Sequence, residues 1–176
     1  MSPMNTHVLT VIGPDRPGIV AELSKVIAGH GGNWLDSQMA NLAGQFAGIV
    51  KLSVEPGQTE ALQTSLEQLQ TRNLHVTLMD SQGDLNADRQ NLEIGLLGRD
   101  HPGIVHDVTE ALARVGATIQ TMQTECFSGS MSGGDMFKAQ IGVVLPAQTE
   151  FDQLEESLHQ VSNDLMVDVL IEEPRG

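Results

Sequence analysis

Two six-residue stretches carry the residue types that hold small anions: Asp15-Arg16-Pro17-Gly18-Ile19-Val20 and Asp100-His101-Pro102-Gly103-Ile104-Val105. Proline fits the first turn of a helix, where a missing N–H costs nothing. Aspartate just before such a turn can cap free N–H groups and meets the positive end of the helix dipole. Glycine lets backbone or ligand approach closely. The N–H groups of Gly18, Ile19 and Val20, and of Gly103, Ile104 and Val105, have no partner inside a helix starting there. Such a corner suits a carboxylate. In isolation, Asp-x-Pro-Gly is simply a good capping turn. Its occurrence twice, at matching positions, argues for more. A strongly acidic chain repels a plain anion, but a zwitterionic amino acid brings its own ammonium. That group can pair with Asp15, Asp100 or the amide oxygen of Asn33. If the aspartates already satisfy the N–H groups, a ligand has to displace them.

The elements that position these corners form a repeat. Gly18 and Gly103 stand 85 residues apart, and the match holds at that offset for Leu23 with Val108, Ile27 with Leu112, Gly31 with Gly116 and Gln38 with Gln123. Pro56-Gly-Gln-Thr-Glu60 resembles Pro146-Ala-Gln-Thr-Glu150 at an offset of 90, so the second copy carries five extra residues, placed in Ser128–Gly134. In the first copy, His7–Ile12 reads as a strand. A helix opens at Arg16-Pro-Gly with an apolar stripe of Ile19, Val20, Leu23, Val26 and Ile27. Asn33–Leu42 is a strand despite Asp36 and Asn41, which are poor strand formers. Phe46–Val54 alternates as a strand, Thr59 is the expected N-cap of a second helix with Leu62, Leu66 and Leu69 inward, and Leu74–Leu78 closes the copy. The second copy repeats this with 92–97, 104–115, 118–127, 136–144, 149–161 and 165–171. The order βαββαβ, twice, predicts an α+β protein of two tandem ferredoxin-like domains, each a four-stranded antiparallel sheet with helices on one face. The expected bounds are 1–79 and 91–176, with a polar connector at 80–90. A copy of this size alone would be only marginally stable, so the two copies are expected to pack on each other, by joined sheet edges or by stacking.

Composition narrows the function classes. Nine Lys plus Arg stand against 23 Asp plus Glu, a net charge of −14. That argues against direct nucleic-acid binding, which needs clustered cations. No apolar run is long enough to span a membrane. The N-terminal residues lack a secretory pattern, and the single cysteine, Cys126, forms no internal disulfide; both lead to the expectation of a cytoplasmic protein. Cys126 reads as a small buried hydrophobe. The six histidines show no HxxxH spacing and are expected to face solvent or cap helices, with no metal or cofactor. Trp34 is expected in the core or at a dimer interface. The acids Glu150, Asp152, Glu155 and Glu156 read as a solvated helix face, with attraction of a basic partner as the other reading. No catalytic constellation emerges, so no enzyme activity is expected.

Asp15-Arg-Pro-Gly-Ile-Val20, Gly32-Asn-Trp-Leu-Asp-Ser37 and Met39-Ala-Asn-Leu-Ala-Gly44 within such a unit resemble ACT domains, small regulatory modules that typically bind amino acids between paired copies. A tandem pair without an attached catalytic domain resembles the bacterial transcriptional repressors of the glycine cleavage system. The resemblance implies ligand contacts at Asp15, Arg16, Pro17, Gly18, Ile19, Val20 and Asn33, and at Asp100, His101, Pro102, Gly103, Ile104 and Val105. Thr118 stands where Asn33 stands in the first copy, so a hydroxyl replaces an amide. It also implies a homo-oligomer that senses glycine or another small amino acid and represses transcription through an activator protein rather than by gripping DNA. Two rivals are a ligand-independent ACT adaptor and a trans-acting allosteric subunit of an amino-acid metabolic enzyme.

Overall fold

The computed structural model describes residues 4–83, 89–129 and 133–172. They divide into two compact units, residues 1–83 and 84–176. The first runs β1 (Asn5–Pro14), α1 (Ile19–Gly29), β2 (Asn33–Leu42), β3 (Gln45–Val54), α2 (Thr59–Glu67) and β4 (His75–Asp80). The second runs β5 (Gln90–Arg99), α3 (Ile104–Arg114), β6 (Thr118–Ser128), β7 (Asp135–Leu145), α4 (Phe151–Leu165) and β8 (Val167–Glu172). Each forms a four-stranded antiparallel sheet, in the orders β2-β3-β1-β4 and β6-β7-β5-β8. This is the ferredoxin-like βαββαβ arrangement, twice. Strands β4 and β5 extend into the stretch expected to be connector, taking Asp80 and Gln90.

Alternation makes the sheets. Leu9 and Val11 of β1, Val50, Leu52 and Val54 of β3, and Val76 of β4 point to the helix side and are buried. Their neighbours Ile12, Ile49 and Met79 face away and stay exposed. Helix α1 seats Ile19, Leu23 and Ile27, one residue per turn, on that inner face, and α2 adds Leu62 and Leu66. Burying each such leucine contributes roughly 1.5–3 kcal/mol. The second core is built alike from Leu92, Ile94, Leu96, Val108, Leu112, Ile141, Leu154 and Leu158. Trp34 is half-buried and packs against the first core.

Five expectations are corrected. Thr59 is the first residue of α2 rather than its cap, because a 3-10 turn at Pro56–Gln58 leads the chain in. His7 is buried rather than solvent-facing. Its Nδ1 lies 3.0 Å from Asp80 and its Nε2 3.4 Å from the Thr59 hydroxyl, so it ties the start of β1 to the end of β4 and to α2. Cys126 is exposed, not a buried hydrophobe. The aspartates of the two corners do not cap their helices, as described below. His30 does cap: its Nδ1–H donates to the Val26 carbonyl at 2.9 Å, which leaves Nε2 to accept from Ser65 at 3.1 Å. The extra residues of the second copy lie in the β6–β7 turn: the paired Phe127 and Met136 enclose eight residues where Leu42 and Gln45 enclose two, so there are six rather than five, and 130–132 fall outside the described residues.

Edge strands β2 and β6 each carry a bulge at the same place. Trp34 pairs with Leu52 but Asp36 with Lys51, and Ile119 pairs with Val143 but Thr121 with Gly142. The extra residues are Leu35 and Gln120, again 85 apart. After the bulge, Asp36 faces Lys51 on the open side of the sheet, while Met39 and Asn41 point to the helix side.

Candidate functional site

Each corner is made by one glycine. Gly18 is the N-cap of α1 with φ 89°, and Gly103 is the N-cap of α3 with φ 94°. This left-handed conformation strains any residue with a Cβ. A Cβ on Gly18 meets nothing within 4 Å, so the glycine is needed for its backbone angle rather than for close packing. Just upstream the reason is different. A Cβ on Gly13 falls 2.4 Å from the Asn73 carbonyl oxygen, and one on Gly98 falls 2.4 Å from a Val167 methyl. These two glycines let the last residues of β1 and β5 pass close to the neighbouring chain.

Neither helix start has a side-chain cap. Asp15 is turned away from α1: its N–H donates to the Gly44 carbonyl at 2.9 Å, and its carboxylate accepts from the Asn41 amide. Asp100 does the same. Its N–H donates to the Asp135 carbonyl at 2.9 Å, and its carboxylate hydrogen-bonds the Cys126 thiol. Asn41 and Cys126 are equivalent positions, 85 apart. The aspartates therefore hold each corner to the β2–β3 or β6–β7 hairpin and do not cap the first turns of α1 and α3. Loss of hydration at the thiol, then the charge and hydrogen bond of Asp100, then Asp135, push Cys126 up from the usual thiol range. That suppresses the thiolate and makes Cys126 a poor nucleophile.

The two corners differ in their cations. Arg16 pairs with Glu22 in the first turn of α1, and Arg72, at the end of the 3-10 turn after α2, pairs with the same carboxylate. The Arg16 hydrogen bond above all, then Arg72 against partial desolvation, holds Glu22 below the usual carboxyl range. In the second unit His101 replaces Arg16 and Asp107 replaces Glu22, and among the described residues no ion pair reaches Asp107.

A model of the ACT domain matches residues 5–78 and again 90–172. The chain belongs to the ACT domain family. A solved structure of a protein of unknown role from Galdieria sulphuraria is 28% identical, covers 98% of this chain and 100% of that one, and superposes with a TM-score of 0.85. A solved structure described as a candidate glycine cleavage system transcriptional repressor is 20% identical, covers 99% of this chain and 100% of that one, and gives a TM-score of 0.73. No curated protein sequence matches.

Within one ACT unit, the residues expected to share a ligand do not all meet. Asp15, Arg16, Pro17, Gly18 and the backbone of Ile19 and Val20 cluster at the end of β1; Asp100, His101, Pro102, Gly103, Ile104 and Val105 do so at the end of β5. Ile19 and Ile104 turn their side chains into the core, and the Ile104 N–H donates to the His101 carbonyl at 3.4 Å. Asn33 lies elsewhere. It pairs with Ser53, whereas Pro14 and Leu42 both pair with Gln45. That separates Asn33 from the corner by eight residues along β3, roughly 27 Å at 3.4 Å per residue. Thr118 is similarly remote, pairing with Val144 while Arg99 pairs with Met136. Sequence reading missed Asn41, Glu22 and Arg72. The first two carry a signal, since Asn41 and Cys126, and Glu22 and Asp107, are polar pairs at the repeat offset beside a corner. Arg72 has none.

Proposed function

We propose that this ACT protein is an amino-acid-responsive regulator, in which the carboxylate of a small amino acid, glycine foremost, binds the N–H groups opening α1 and α3. The observation that carries this reading is the position of Asp15 and Asp100. Each is bound on the hairpin side, so neither aspartate has to be displaced, although at the second corner the Asp107 carboxylate also lies close to Gly103. A carboxylate at such a helix start gains about 0.3–1 kcal/mol, and up to about 2 kcal/mol when partly buried. The rest of the affinity has to come from the ammonium group. Asp15 and Asp100 offer it a carboxylate beside each corner. Asn33 and Thr118 are too far from the corner of their own unit to share its ligand.

Control of transcription would pass through a protein partner, because a chain of net charge −14 lacks the cations for phosphate contacts. Similarity to a candidate glycine cleavage repressor makes glycine the first ligand to try. Calorimetric titration with glycine, serine and alanine is the test. Ligand at 100 times its dissociation constant stabilises the fold by about 2.7 kcal/mol, which moves the melting temperature by several degrees. No heat and no shift with any common amino acid would overturn the reading.

A further inference from the structure

We infer that the outer edge of β8, with the flank of α4, is a docking strip for an extended cationic segment of another protein. A groove of about 390 Å³ lies there. It is lined from α4 by Phe151, Glu155 and His159, and from β8 by four consecutive residues, 168–171. Successive strand side chains point to opposite faces. A groove touching four in a row therefore runs along the strand's edge, where the backbone groups are. Strand β8 pairs with β5 on one side and has no strand on the other among the described residues. An added strand is the natural occupant of such an edge.

Charge specifies the occupant. From Phe151 to Glu172 there are six acids and no Lys or Arg. Glu172 stands directly across from Glu93, a like-charge cross-strand pair, which is destabilising. Asp168 and Leu170 share that open face with Glu172, pairing with Leu97 and Gly95. Leu170 is 60% exposed and Phe151 39% exposed. A strand laid against β8 thus meets Asp168, Leu170 and Glu172 on one face, and Val169 and Ile171 beneath Phe151 on the other. The fitting sequence has two cations four residues apart with three apolar residues between them. The first unit lacks this acidic pair among its described residues: Val8 and Met79 occupy the place of Glu93 and its partner. This inference does not depend on amino-acid binding, and a strip that works without glycine leaves it standing.

The test uses the full chain and a labelled peptide, Ser-Lys-Val-Phe-Val-Arg-Ser, with two counterparts, one with Glu for both cations and one with Pro for the central Phe. Fluorescence anisotropy should show saturable binding of the first peptide and at least tenfold weaker binding of both counterparts. Amide exchange should slow at 167–172. The exposed-site variants Glu93→Gln and Leu170→Lys, checked for native circular dichroism, should each weaken binding fivefold or more. No saturable binding, indifference to the Pro interruption, or protection falling on β2 or β6 instead would overturn the proposal. So would concentration-dependent self-association abolished by Leu170→Lys, which would make a second copy the occupant.

Discussion

The two corners share a backbone and differ in almost every side-chain tie. In the first unit an amide, Asn41, holds Asp15, and two arginines converge on Glu22. In the second a thiol, Cys126, holds Asp100, and His101 and Asp107 stand where Arg16 and Glu22 stood. Yet the N-cap φ values are 89° and 94°. The glycines and the close passage of the preceding strand therefore shape the corner, and the charged groups only tune it. The units are equal in form and unequal in chemistry, so under the proposed function the two corners should differ in ligand affinity rather than in architecture.

The largest test of that equality is steric. Gly13→Ala and Gly98→Ala should each cost about 1–3 kcal/mol, read from urea midpoints, because each added methyl must push a neighbouring segment. A neutral result at one site would mean that the strand end is formed differently in that unit. Next comes conformation. Gly18→Ala and Gly103→Ala should each cost about 1–2 kcal/mol for the left-handed angle, nearly the same in both units. Circular dichroism melts would show it, and a wide disparity would break the claim of a shared backbone.

The chemical contrast is smaller and depends on pH. Glu22 has a folded pKa below its ordinary 4.5. Its contribution is present above that value and is lost as pH falls through the folded value. Glu22→Gln should therefore flatten the acid limb of the melting temperature below pH 4.5. The subtlest effect is at the thiol. Cys126, its pKa raised, should alkylate more slowly than a free thiol at pH 8, and Asp100→Asn should speed it a few-fold. An unchanged rate would remove Asp100 from the second corner's ties.

Much of this was readable in the residues, and the failures share a cause. Strand alternation and the 85-residue offset located the sheets, and even β2 emerged with the bounds Asn33–Leu42. Its poor strand formers have other work: Asp36 faces Lys51 on the open side, and Asn41 reaches Asp15. What the sequence hid were partners far away in the chain. Asp15 reads as a cap because a cap is local, whereas Asn41 is 26 residues on. His7 reads as exposed until β4 and α2 close over it. Asn33 reads as a neighbour of the corner until strand direction is known. Because β1 and β2 both run antiparallel to β3, they run parallel to each other, which puts the opening of one strand far from the finish of the other.

The paired bulges carry a further consequence. Leu35 and Gln120 shift the phase of their strands by one, letting Trp34 stay inward while Asn41, seven residues later, also points inward. Removing either residue would invert one end of the strand, so a single deletion there should damage the fold more than most substitutions. Two independent insertions at the same count from two similar corners are a poor explanation for their agreement. The simpler history is one ancestral unit that already had the kink and was then copied, with the corners' chemistry diverging afterwards.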